Sequence, residues 1–245
     1  MRSQLEKYKS AILSLPKDRI LSKEDLLVDD FLIARDGKLE MYYAPHNEYI
    51  NSSAKVMIIG LTPGFTQMRT AMQVAKAALE QGLPDEEACK QAKEAARFAG
   101  TMKENLIRML NGIGLHRHLN LSGCEQLFRE HQTLLHTTSL LRFPVFVEKK
   151  NYSGTHPNLL STPFLKNAAM PSLHDELERM KQTLIIPLGK IVESALCAFV
   201  REGKLDDKQC IWGFPHPSGA NGHRHKQFAD HQERMRNQLK GLNLP

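Results

Sequence analysis

The chain is poor in several things that would have fixed its chemistry at once. It has four cysteines, Cys89, Cys124, Cys197 and Cys210, and none form a C-x-x-C pair. A zinc ribbon or an iron–sulfur cluster therefore lacks its usual ligand spacing, and buried free thiols in a reducing compartment are expected. No run approaches the roughly 18 apolar residues that a membrane helix needs. The opening residues, Met1-Arg2-Ser3-Gln4-Leu5-Glu6-Lys7, contain no apolar signal core, so export is not expected and the cytoplasm is the default. There is no Gly-x-Ser-x-Gly elbow, no Walker A loop and no dinucleotide fingerprint, which removes the commonest hydrolase and nucleotide-binding readings. Internal repeats and low-complexity tracts are also missing.

What is present is an ordinary globular composition, 41% hydrophobic, with a net charge of +6. Charge of this size bears on association rather than on fold. It is locally concentrated, however, in Asn221-Gly222-His223-Arg224-His225-Lys226, followed by His231, Arg234 and Arg236. Those histidines have no carboxylate or cysteine at ligand spacing, so no metal is expected.

Four short apolar runs organise the chain: 55–60, 133–138, 183–188 and 209–214. Their shortness and β-branched content predict strands covered on both faces, with Pro187 at the end of the third. Helices are predicted at 102–112, 122–130, 174–182, 190–201 and 223–239. Residues 68–98 predict two more, broken at Gly82-Leu83-Pro84-Asp85. Residues 1–30 read as helical up to Pro16, and Asp36-Gly37 precedes a short strand or extended lead-in at 38–43. Strands alternating with helices imply a parallel sheet. The expectation is one α/β domain over 1–245, with a helical lead-in at 1–50 and a helical insertion at 68–100. Residues 64–131 and 143–182 are expected to lack strands.

In such a sheet, sites form beyond the carboxyl ends of the strands. The loops there are Gly60-Leu61-Thr62-Pro63-Gly64-Phe65, Ser139-Leu140-Leu141-Arg142, Gly189-Lys190, and Pro215-His216-Pro217-Ser218-Gly219-Ala220-Asn221. Each has a plain structural reading as a tight turn, and Phe65 is a candidate core aromatic. A histidine held rigidly at a strand end is also a reasonable electrophile or acid.

Taken together these loops resemble the uracil-DNA glycosylase superfamily. Gly60-Leu61-Thr62-Pro63-Gly64 is similar to its first motif, Gly-x-(Asp/Asn)-Pro-(Gly/Tyr). His216-Pro217-Ser218 is similar to its second, and Leu188-Gly189-Lys190 to the segment ending its third strand. The resemblance spans about residues 50–239. It implies a three-layer α/β/α sandwich around a four-stranded parallel sheet. It also implies a monomeric, cofactor-free and metal-free enzyme of base-excision repair, which flips a base from single- or double-stranded DNA and hydrolyses its N-glycosidic bond. By motif position, His216 is the donor to the leaving base and Thr62 stands at the water-positioning site. Gly60, Pro63, Gly64, Phe65 and Thr138 surround base and water. Ser218, Gly219, Asn221, Arg224, Lys226 and Lys190 take the DNA phosphates. Thr62 replaces the usual Asp or Asn, Thr138 replaces a base-reading Asn, and Ala220 replaces an apolar wedge. His136 and Thr137 could read a different base. Two other readings stay open: a non-catalytic nucleic-acid-binding relative, and an unrelated small α/β hydrolase.

Overall fold

The computed structural model describes residues 3–242, so Met1 and Arg2 of the N-terminal reading and the last three residues lie outside it. Along the chain run α1 (Leu5–Leu13), α2 (Lys23–Leu26), β1 (Leu32–Asp36), β2 (Leu39–Tyr42), β3 (Val56–Gly60), α3 (Phe65–Glu80), α4 (Asp85–Ala96), α5 (Gly100–Ile113), α6 (Leu115–His118), β4 (Leu135–Ser139), β5 (Val145–Val147), β6 (Lys150–Asn151), α7 (Pro163–Arg179), β7 (Leu184–Pro187), α8 (Lys190–Arg201) and α9 (Arg224–Lys240). They gather into two compact units.

The first unit takes the chain up to Ile50, Thr62–Arg97 and Leu141–Leu173. It holds an antiparallel sheet in the order β1-β2-β5-β6. Residues 143–182 were expected to be free of strands, and β5 and β6 correct that. Their hairpin turns on Glu148 and Lys149, at φ +49° and +60°. Such a turn normally advertises itself with Asn-Gly, so this one carries no sequence signal. The lead-in is likewise less helical than expected: α1 and α2 are short, and β1 and β2 follow them. In contrast, the break in 68–98 falls as predicted, between α3 and α4. These two helices meet through Ala71, Ala75, Ala92 and Ala96, whose small side chains let the backbones approach.

Polar groups are also buried in this unit. Tyr8 stacks on Tyr43 with ring centroids 4.0 Å apart, and Arg142 pairs with Glu48 at 3.3 Å. His46 is 3% exposed and neither ring nitrogen has a hydrogen-bond partner. Desolvation, reinforced by Lys93, pushes its pKa down to about 3.

The second unit takes Asn51–Leu61, Phe98–Leu140 and the chain from His174 onward. Its sheet is parallel, in the order β4-β3-β7. Val56 aligns with Leu135 and Leu184, and Ile58 with Thr137 and Ile186. This face packs on Leu106, Met109 and Leu110 of α5 and on Met235 and Leu239 of α9. The opposite face, with His136 and Thr138, meets the last turns of α7, where His174 lies against Phe199 of α8. Helices thus cover both faces. Pro187 closes β7, as expected of a residue without an N–H.

The fourth strand of the expected sheet does not form. Cys210 makes a single parallel bridge to Ile185, with the Ile211 amide donating to the Ile185 carbonyl at 2.9 Å. Gly213, at φ +87°, then turns the chain, and Pro215 has no N–H to extend a ladder. Three smaller corrections follow the same pattern. Residues 122–130 hold only a 3-10 turn, Cys124–Phe128; α7 starts at Pro163 rather than near 174; and Cys197 is only partly buried, unlike the other three cysteines.

Because His46 is held neutral, its contribution to stability is complete above its ordinary pKa of 6.5 and is lost as pH falls toward 3. Unfolding in urea should show a loss of about 2 kcal/mol from this group between pH 7.5 and pH 5.0. In His46→Leu the pH-dependent loss should shrink by that amount. An unchanged pH dependence in the variant would contradict this assignment.

Candidate functional site

The first motif loop leaves β3 at Gly60, whose carbonyl accepts from the Leu140 amide at 2.9 Å. The following residues belong to the first unit, and their polar groups are largely spent on local structure. The Thr62 hydroxyl donates to the Phe143 carbonyl and accepts from the Val145 amide, each at 3.2 Å. One lone pair remains to it. Pro63 is buried. Gly64 caps α3, its amide donating to Gln67 Oε1 at 3.1 Å. The Phe65 amide donates to Asn151 Oδ1 at 2.9 Å. Asn151 was not singled out from the sequence, because the strand that carries it gave no signal. The Phe65 ring is half-exposed and outside the core, against its core reading. Lys23 Nζ and the Arg69 guanidinium each stand 5.9 Å from its centroid.

On β4, Thr138 and His136 converge on a carboxylate that the motifs do not include. Thr138 Oγ1 donates to Glu176 Oε1 and His136 Nε2 pairs with Glu176 Oε2, both at 3.2 Å. His136 Nδ1 accepts from the Asn51 amide at 3.4 Å, which places a neutral ring's proton on Nε2, facing the carboxylate. All three side chains are buried, Thr138 at 5% and Glu176 at 1% exposed. A sequence signal for Glu176 does exist: with Leu173, Leu177 and Met180 it occupies the buried stripe of α7, where a charge needs a partner. Thr137 lies on the other face of the strand, in register with Ile58.

The second motif forms a braced loop after the Cys210 bridge. The Ser218 amide donates to His216 Nδ1 at 3.3 Å. Asn221 Nδ2 donates to the His216 carbonyl at 3.1 Å, and its amide donates to the Ser218 carbonyl at 3.0 Å. Asn105, a buried residue of α5, holds the Pro217 carbonyl at 3.0 Å. Ser218 Oγ accepts from the Ala220 amide at 3.2 Å. Arg224 donates inward, to the carbonyls of Gly219 at 3.4 Å and Asn221 at 3.1 Å. It therefore braces the loop, while Gly219, Lys226 and Lys190 are exposed to a ligand. Against the backbone and Cβ of His216 stands Gly189, at φ +86°, where an added Cβ would lie 3.2 Å from His216 Cβ.

Burial lowers the pKa of His216 below its ordinary value. The ring is neutral near pH 7, and because Nδ1 accepts, the proton sits on Nε2. Among the described residues no three His, Cys, Asp or Glu side chains converge on a metal position. No helix among them is long and apolar enough to cross a membrane.

A three-stranded parallel sheet with helices on both faces is consistent with the family comparison. Residues 48–240 match the Uracil DNA glycosylase superfamily. The chain belongs to that superfamily. It is also 41% identical to the uncharacterized protein YoxB of Bacillus subtilis (strain 168) over 242 residues, covering 98% of this chain and 94% of that one. Within this chain, Thr62 and Thr138 turn their hydroxyls to the backbone and to Glu176.

Two substitutions check this geometry. Thr62→Val should cost about 1–2 kcal/mol in chemical denaturation, since it leaves the Phe143 carbonyl and Val145 amide without their partner. Thr62→Ser should stay near the parent, and equal stability of all three proteins would show the hydroxyl bonds to be idle. Gly189→Ala should lower stability by about 1–3 kcal/mol, from the strain of φ > 0 and the approach to His216. A neutral effect would mean that the backbone at His216 is not held from this side.

Proposed function

We propose that the protein is a DNA N-glycosidase that removes a deaminated or otherwise modified base. The observation that carries this reading is His216, held neutral with Nε2–H as its free donor. Cleavage of an N-glycosidic bond leaves negative charge on the departing base and an oxocarbenium-like sugar. A neutral N–H donor aimed at a carbonyl oxygen of the base stabilises that charge as it develops. The donor need not be charged in the ground state, so the site avoids burying an imidazolium. Water then adds to the anomeric carbon. Ser218 and the exposed Gly219, with Lys226 and Lys190, hold the flanking phosphates.

Base choice follows from what is missing. Thr138 cannot make the paired amide contact that reads uracil, and its hydroxyl is engaged by Glu176. A specificity other than uracil is therefore favoured. One observation supports a second reading, a DNA-binding relative without catalysis: the Thr62 hydroxyl bonds the backbone and is no general base near neutral pH.

The test is base release from labelled oligonucleotides carrying uracil, hypoxanthine or xanthine. The glycosidase reading expects release from at least one, falling about 10²–10³-fold in His216→Ala, the usual cost of removing such a donor. Salt-sensitive binding without release from any substrate would select the binding reading.

A further inference from the structure

The α8 helix is two-faced. Val192, Ala195, Leu196 and Phe199 are buried. Lys190, Glu193, Cys197 and Arg201 fall on another face, near i, i+3, i+7 and i+11, and line a cleft of about 670 Å³. His231 and Arg234 of α9 form the opposite wall, and His216 stands in the lining. Lys190, Arg201 and Arg234 are all exposed. The one carboxylate in the lining, Glu193, accepts the Gly213 amide at 3.1 Å. Three cations thus face the cleft against a single carboxylate engaged with the backbone. From Lys190 to Arg201 the helix rises about 16 Å. That length reaches past more than one phosphate of a strand laid along it.

A positively charged groove of this kind suits the phosphates of a single strand, which track its cationic rim. We propose that the α8–α9 cleft binds a single-stranded DNA extension leading away from the His216 loop, with Lys190, Arg201 and Arg234 contacting its phosphates. This deepens the glycosidase reading, on which it rests for the identity of the polymer. Arg224, which braces the loop from within, takes no part.

Binding is measured by fluorescence anisotropy on an undamaged blunt duplex and on the same duplex with a single-stranded thymine tail at either end. The expected result is that one tail polarity tightens binding at least 10-fold. In the double variant R201Q/R234Q that gain should disappear, with blunt-duplex affinity unchanged. The log–log salt slope for the tailed DNA should fall by about 1.4, or ~0.7 per lost contact. Lys208→Gln, an exposed substitution outside the cleft, should behave as the parent. Equal affinity for tailed and blunt DNA, or a tail advantage that survives R201Q/R234Q, would overturn the proposal. Because no damaged base is involved, base release that persists without any tail effect removes the cleft assignment alone. Failure to bind any DNA removes both readings.

Discussion

The amide of Ser218 donates to Nδ1 of His216, and the tautomer of the ring follows from that bond. It leaves the second ring nitrogen as the donor, so a proton is offered outward without the ring being charged. Burial pushes in the same direction by disfavouring the imidazolium. A bond of 3.3 Å is modest in itself, and its effect depends on how firmly the loop is held. Asn105 and Asn221 fix the two carbonyls on either side of the Pro217 peptide. Arg224 ties down the loop's far end, and glycine suits the positive φ of Gly189 beside the His216 backbone. Preorganisation of this sort is how a donor becomes useful in a transition state, because little has to move when charge appears.

Thr62 and Thr138 are the residues that the motif resemblance sets against water- and base-contacting groups of the superfamily. Here the first hydroxyl stitches the loop to Phe143 and Val145, and the second joins His136 on a buried carboxylate. Both groups are satisfied within the protein, which suits stability.

Much of this was legible in the sequence where local chemistry is strong. The apolar runs at β3, β4 and β7, the break between α3 and α4, and the extent of α8 all follow from period, capping and turn residues. The loops that carry the motifs were found because glycine, proline and histidine are conspicuous at strand ends. The antiparallel sheet was not, because its strands are short and the Glu148-Lys149 turn lacks the residues that normally mark one. The expected fourth strand failed for an opposite reason: Cys210 and Ile211 have the right character, but Gly213 and Pro215 end the pairing after one bridge. Partners remote in sequence were the hardest to see. Asn105, Asn151 and Glu176 lie 112, 86 and 38 residues from the groups they hold. Only Glu176 left a trace, as a charge on an apolar helix stripe.

The central claim, that His216 is a neutral Nε2–H donor, is open to direct measurement. Long-range proton–nitrogen correlation NMR on ¹⁵N-histidine-labelled protein, assigned with His216→Ala, reports tautomer and titration together. The account predicts an unprotonated Nδ1, a protonated Nε2, and a pKa below the ordinary histidine value. A His216 ring that is doubly protonated at pH 7, or that carries its proton on Nδ1, would contradict it.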